Sequence, residues 1–183
     1  MSNAFSTAAP TDTSGELVNK VQQSGLRTLN LEDYRPKGER VLLDIADQLF
    51  QGLILREKDF RAWVKDHDWG QYTGKYVAIT CSADAIVPAW AFMLLVTRLQ
   101  PVATFVHYGT LDELEETLLR DALHRLDWAQ FAGEKIVLKG CGGISTGLYT
   151  EATRLLMPYA AKLMYGEPCS MVPLFKDLSR VKA

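Results

Sequence analysis

Three cysteines, Cys81, Cys141 and Cys169, hold most of the chemical potential of this sequence. Thiolates suit zinc, copper(I) and iron–sulfur clusters. Each cysteine closes or follows a short apolar run that reads as a strand. The runs are Tyr76–Cys81, Lys135–Gly140 ahead of Cys141, and Ala161–Tyr165 ahead of Cys169. Parallel strands place their carboxyl ends along one edge, where ligands of open sheets bind. Three thiols at one edge are the start of a metal site. Asp84, three residues past Cys81, His107 and Glu167 are the candidate fourth ligands, and Asp84 can equally cap a helix. The competing reading is that free cysteines pack as small hydrophobes, since no Cys-x-x-Cys pair occurs. A third is a reactive thiol, which needs a base that the sequence does not supply.

Other chemistry is weaker. Gly140-Cys141-Gly142-Gly143 could hold an anion on backbone amides, but it lacks the lysine of a P-loop. Ser82 and Ser145 have no recognisable triad context. Arg56-Glu57-Lys58-Asp59 reads as a solvated helix start. Trp69 and Trp128 read as packing anchors. No catalytic residue is assigned, and the balance leans away from an enzyme.

The elements that position these residues repeat. Asp68-Trp69-Gly70-Gln71-Tyr72-Thr73-Gly74 recurs as Asp127-Trp128-Ala129-Gln130-Phe131-Ala132-Gly133. Both copies lead into a strand ending in cysteine, then a helix closed by Pro101 or Pro158, then a run ending Tyr108-Gly109 or Tyr165-Gly166. Upstream, Phe60-Arg61 and Val64 match Leu119-Arg120 and Leu123. The pattern predicts an α/β fold built from an internally duplicated helix–strand–helix–strand unit, about 57–109 and 116–166. Helices should pack on a mainly parallel sheet.

Apolar residues on one stripe predict a helix over Leu111–Leu126, with Asp112 and Glu113 favoured near its amino end. Ala85–Leu99 is apolar nearly all round and predicts a buried helix with Pro88 in its first turn. Further strands are expected at Leu49–Leu55 and Ala103–Tyr108, an edge strand at Leu26–Leu31, and a short helix at Glu16–Gln23. Residues 1–14 read as a disordered tail and 15–183 as a single domain.

The chain has 183 residues, 48% apolar and 23% charged, with a formal net charge of −2. That balance excludes a basic field for nucleic acid or anionic membrane. No apolar run approaches the roughly 20 residues needed to span a bilayer. No basic region followed by a long apolar one opens the chain, and the cysteines do not form a secreted framework, so a cytoplasmic location is expected.

Three stretches carry a family resemblance: Gly52-Leu53-Ile54-Leu55-Arg56-Glu57-Lys58-Asp59-Phe60-Arg61, Tyr76 to Pro88, and Gly166-Glu167-Pro168-Cys169-Ser170. They resemble the bacterial family catalogued as domain of unknown function 2480, from about Glu16 to Leu174. That family has no established activity. Its genes often lie beside iron–sulfur assembly genes, so the resemblance implies a role near sulfur or iron handling and iron–sulfur assembly proteins as partners. The expectation is an accessory protein binding zinc or an iron–sulfur cluster through Cys81, Cys141, Cys169 and Asp84. The alternative is a non-enzymatic interaction module whose cysteines are structural.

Overall fold

A computed structural model describes residues 25–140, 142–167 and 170–180. The expected tail, the helix at Glu16–Gln23, and Cys141 and Cys169 lie outside the described residues. The chain divides into two compact units, residues 34–125 and residues 1–33 with 126–183. Each unit has its own sheet, where the sequence pattern had suggested one.

The first unit holds a three-stranded sheet in the order β2-β3-β4. Its strands are β2 (Arg40–Asp44), β3 (Tyr76–Thr80) and β4 (Phe105–Tyr108), all parallel. Parallel neighbours need a crossover, and helices supply it: α1 (Glu57–Asp66) and α2 (Ala89–Leu99). Alternate residues of the strands face these helices. Leu43, Val77 and Ile79 join Phe60, Val64, Ala91, Leu95 and Leu99 in one core. On the opposite face, Ala78 packs with Leu114 and Leu118 of α3 (Leu111–Arg125). Glu115 of α3 accepts from Arg35 at 2.9 Å and from Arg40 at 2.5 Å, which ties the helix over β2.

The second unit holds the order β1-β5-β6-β7. β1 (Leu26–Leu29), β5 (Lys135–Leu138) and β6 (Lys162–Glu167) are parallel, and β7 (Ser170–Lys176) returns antiparallel. α4 (Thr146–Leu156) buries Leu148, Ala152 and Leu156 at helical spacing. β7 carries Pro173, which has no N–H to donate. A proline belongs on an edge strand, and β7 is one.

Local structure departs from the pattern in four places. Leu49–Leu55 is not a strand. Gln51 and Gly52 both adopt positive φ, 53° and 69°, and reverse the chain so that Phe50 N–H bonds the Ile54 carbonyl at 2.8 Å. The missing strand is β2, upstream. The helix expected from Ala85 begins at Ala89, because Pro88 is extended (ψ 139°), and no side chain caps it. Asp84 therefore does not act as its cap. Ser170–Lys176, outside the expected strands, forms β7, with Pro173 interrupting the alternation.

The two matched stretches carry the same bonds. Asp68 and Asp127 each accept from a backbone N–H two residues on, at 2.9 and 3.0 Å. Gln71 and Gln130 each donate back to the carbonyl of that aspartate at 2.7 Å. Gly74 N–H bonds Val102 and Gly133 N–H bonds Tyr159, both at 2.9 Å. Tyr76 aligns with Arg40 and Phe105 as Lys135 aligns with Leu26 and Lys162. Replacing Asp68 or Asp127 by alanine removes a capping acceptor and is expected to cost about 0.5–2 kcal/mol at either site. Denaturant unfolding of both variants checks this, and a neutral change at one site alone would break the equivalence.

Candidate functional site

The carboxyl ends of β2, β3 and β4 meet at one edge of the first unit, the side on which open parallel sheets bind ligands. A hollow opens on each face of this edge. Beside α2 the hollow is about 440 Å³ and is lined by Ile79, Val87, Ala89, Phe92, Met93, Val96 and Tyr108. Its position follows from the pleat. Ile79 and Tyr108 are opposite neighbours in the β3–β4 register and point to the α2 side, and the Phe92 and Tyr108 rings meet edge to face at 4.8 Å. The lining has one polar side-chain group, the Tyr108 hydroxyl. Met93 is 67% exposed, Tyr108 65% and the neighbouring Ile86 94%.

On the α3 side a hollow of about 330 Å³ is lined by Leu42, Asp44, Thr80, Ser82, Thr110, Leu111 and Asp112. Asp44 and Thr110 of this lining are engaged in holding the backbone. Asp44 accepts from the N–H groups of Ala46 and Ser82, both at 3.0 Å. Burial works to raise the Asp44 pKa, but the bonds from Ser82 and Ala46 together hold it below the usual value. Thr110 and Glu113 form a reciprocal cap at the amino end of α3: Thr110 N–H donates to Glu113 at 2.7 Å, and Glu113 N–H donates to Thr110 Oγ1 at 3.2 Å. Ser82 has an acid neighbour in Asp44, to which its own N–H donates. Ser145 caps α4 by accepting from Leu148 N–H at 3.2 Å.

Cys81 follows β3 and is half-buried against the α1–α2 core, with Sγ 3.9 Å from the Ala83 carbonyl. Asp84 is exposed in the loop beyond it. His107 sits within β4 opposite Ala78. Among the described residues no three His, Cys, Asp or Glu side chains converge in a way that could hold a metal. In the second unit, Gly140 and Gly166 lie close: a β-carbon on Gly140 would stand 3.3 Å from Gly166 Cα. Glu167 Oε1 is buried there without a hydrogen-bond partner among the described residues. A β-carbon on Gly142 would stand 3.1 Å from the Glu32 carboxylate, so an acid already occupies ground an anion would need.

The three histidines looked scattered along the chain, yet His67 lies in an aromatic box. Its ring centroid is 4.8 Å from Trp63, 4.6 Å from Trp69 and 5.8 Å from Tyr72. The i, i+4 spacing of Trp63 and His67 was the available signal. The Tyr72 hydroxyl and the Gln71 amide both approach Nε2, at 3.2 and 3.3 Å. The amide also donates to the Asp68 carbonyl, so its nitrogen faces the ring and Nε2 is best used as an acceptor. Burial holds the His67 pKa below the usual histidine value, against the opposing pull of Asp68. The fold thus favours neutral His67. Its contribution is complete above the unfolded pKa of about 6.5 and is lost as pH falls through that value toward the folded pKa. Denaturation at pH 7.5 and 5 is expected to show a larger acid loss for the native chain than for His67→Gln. Equal losses would remove His67 from the account.

Fold and site together define a two-unit α/β protein whose first unit presents an apolar hollow at the carboxyl edge of a parallel sheet. Among the described residues no helix is long and apolar enough to cross a membrane. The model of the family described as protein of unknown function DUF2480 matches residues 15–177, and the chain belongs to that family. No curated protein and no solved structure matches it.

Proposed function

We propose that the protein is a non-enzymatic binding module that works through the hollow beside α2. One observation carries this reading: the hollow beside α2, about 440 Å³, is lined by apolar side chains with the Tyr108 hydroxyl as its one polar side-chain group, a lining suited to holding a partner. Two copies of a helix–strand–helix–strand unit, 57–109 and 116–166, would account for the matched bonds of the two units. The fluorophore anilinonaphthalene sulfonate, which brightens on apolar surface, tests the site on the folded chain at low micromolar concentration. Saturable binding is expected, weakened roughly tenfold or more by Met93→Arg or Val96→Arg. Binding unchanged in both variants would overturn the reading.

A metal site is the second reading. It draws on Glu167, with its unpartnered buried oxygen, and on the approach of Gly140 to Gly166, the described neighbours of Cys141 and of Glu167-Pro168-Cys169. Cys141 and Cys169 would then bind zinc or an iron–sulfur cluster within the second unit. Iron–sulfur assembly proteins would be the partners and the cytoplasm the compartment. Elemental analysis of chain purified without chelator tests it: about one metal per chain, lost in Cys141→Ser and Cys169→Ser, supports the site. Metal-free protein that takes up neither zinc nor iron rejects it.

A further inference from the structure

We infer that the occupant of the α2 hollow is a second copy of this chain, joined across a two-fold axis through α2 and the open edge of β4. The inference rests on the binding-module reading and names its partner.

α2 carries two apolar stripes. Ala91, Leu95 and Leu99 are buried in the core of their own unit. Ala89, Met93 and Val96, at i, i+4 and i+7, face solvent. A surface helix places polar residues on its outer stripe. This helix places aliphatic ones there, and Arg98 is its one charged residue. Such a surface is stable in water when something covers it.

The same patch reaches a strand edge through the contact of Phe92 with Tyr108. β4 is the last strand of its sheet, and among the described strands none pairs with its outer side. Lysine, proline or a bulge can blunt an edge strand. β4, a short strand of four residues, reads Phe-Val-His-Tyr and has none of these. β7, at the edge of the other sheet, has its proline. An apolar stripe beside an edge with free backbone groups is one continuous docking surface.

Charge selects the occupant. In a two-fold interface each patch meets its own image, so any charge near the centre meets its like. The residues lining this hollow carry no Asp, Glu, Lys or Arg. An acidic or basic partner would find nothing there to pair with, whereas an identical patch meets no repulsion. Backbone geometry agrees: a strand running antiparallel to its own copy exchanges N–H and C=O groups reciprocally. Joining two three-stranded sheets gives six strands, an ordinary sheet size. Ile86, nearly fully exposed and next in the chain to Val87 of the hollow, adds apolar area, and stable dimers bury roughly 800 Å² per partner.

Sedimentation velocity of the full chain from about 1 to 200 μM tests this. The expected result is a species of twice the 20.5 kDa chain mass. Met93→Arg and Tyr108→Arg, both at exposed positions, should raise the dissociation constant roughly tenfold or more while circular dichroism shows a retained fold. Leu53→Arg, in the exposed turn after β2, should leave the dimer intact. A monomer at all concentrations overturns the inference, as does a dimer insensitive to both Met93→Arg and Tyr108→Arg or one dissociated equally by Leu53→Arg. A monomer that still binds the fluorophore at Met93 overturns the dimer alone and leaves the binding-module reading standing. A chain that neither dimerises nor binds it overturns both.

Discussion

Phe60→Ala is expected to remove about 3–5 kcal/mol of folding stability. Phe60 is 1% exposed and is the α1 residue around which the aromatic part of the first core assembles. Its ring lies 5.4 Å from Trp63 and 5.9 Å from Trp90. Truncation leaves a cavity among rings that are themselves braced by His67 and Trp69, so the site cannot collapse around it. Domains are commonly stable by only 5–15 kcal/mol, so a large share of the total is at stake. The change should reach the site as well. Trp90 stands in the first turn of α2, and loosening its seat loosens Phe92 and Met93. Chemical denaturation should show the lowered midpoint, and fluorophore binding should weaken in parallel. Phe50→Ala, at an exposed ring stacked on Arg56, is the control and should cost much less. A loss below about 1 kcal/mol for Phe60→Ala would mean the core is not organised around this ring.

Gly166→Ala is expected to cost about 2–4 kcal/mol. Gly166 has φ +121°, a conformation that L side chains rarely adopt, and a β-carbon there would stand 2.5 Å from the Ser170 carbonyl oxygen. The obstacle is backbone of the paired strand β7, which cannot rotate aside as a side chain can. The β6–β7 pairing would have to open where Gly166 faces Met171. Gly52→Ala provides the comparison. Gly52 also has positive φ, +69°, but open space surrounds it, so only the conformational cost of about 1 kcal/mol applies. Unfolding of the two variants side by side separates the contact from the dihedral. Equal losses would place the whole effect in φ and remove the pairing from the explanation.

These residues show what a sequence can and cannot say about this fold. The stripe from Leu111 onward specified α3 to within a residue, because helical periodicity is local. The apolar runs ahead of Cys81 and Cys141, and the run through Tyr165, fall on β3, β5 and β6 for the same reason. Partner choice is not local. β1 and β2 are neighbours in sequence but join different sheets, and nothing in Leu26–Leu29 or Arg40–Asp44 states which strand each will meet. Leu49–Leu55 has strand composition, yet Gln51 and Gly52 turn it into an exposed loop. The site was hidden by an ambiguity in α2. An outer stripe of Ala89, Met93 and Val96 gives the same all-apolar pattern whether the helix is wrapped by its own chain or waits for another. All-round apolarity predicts burial, and the structure leaves that stripe at the surface. Cys81, for its part, packs against its own core beside that apolar edge.

Methyl NMR of the folded chain reads directly whether the α2 face is a binding surface. The chain has five methionines, and their methyl signals can be assigned by single replacement with leucine. At a protein concentration where sedimentation shows the monomer, titration with anilinonaphthalene sulfonate is predicted to shift the Met93 methyl saturably and to leave that of Met164, buried in the second unit, in place. A Met93 signal unmoved while Met164 or Met157 responds would contradict the account.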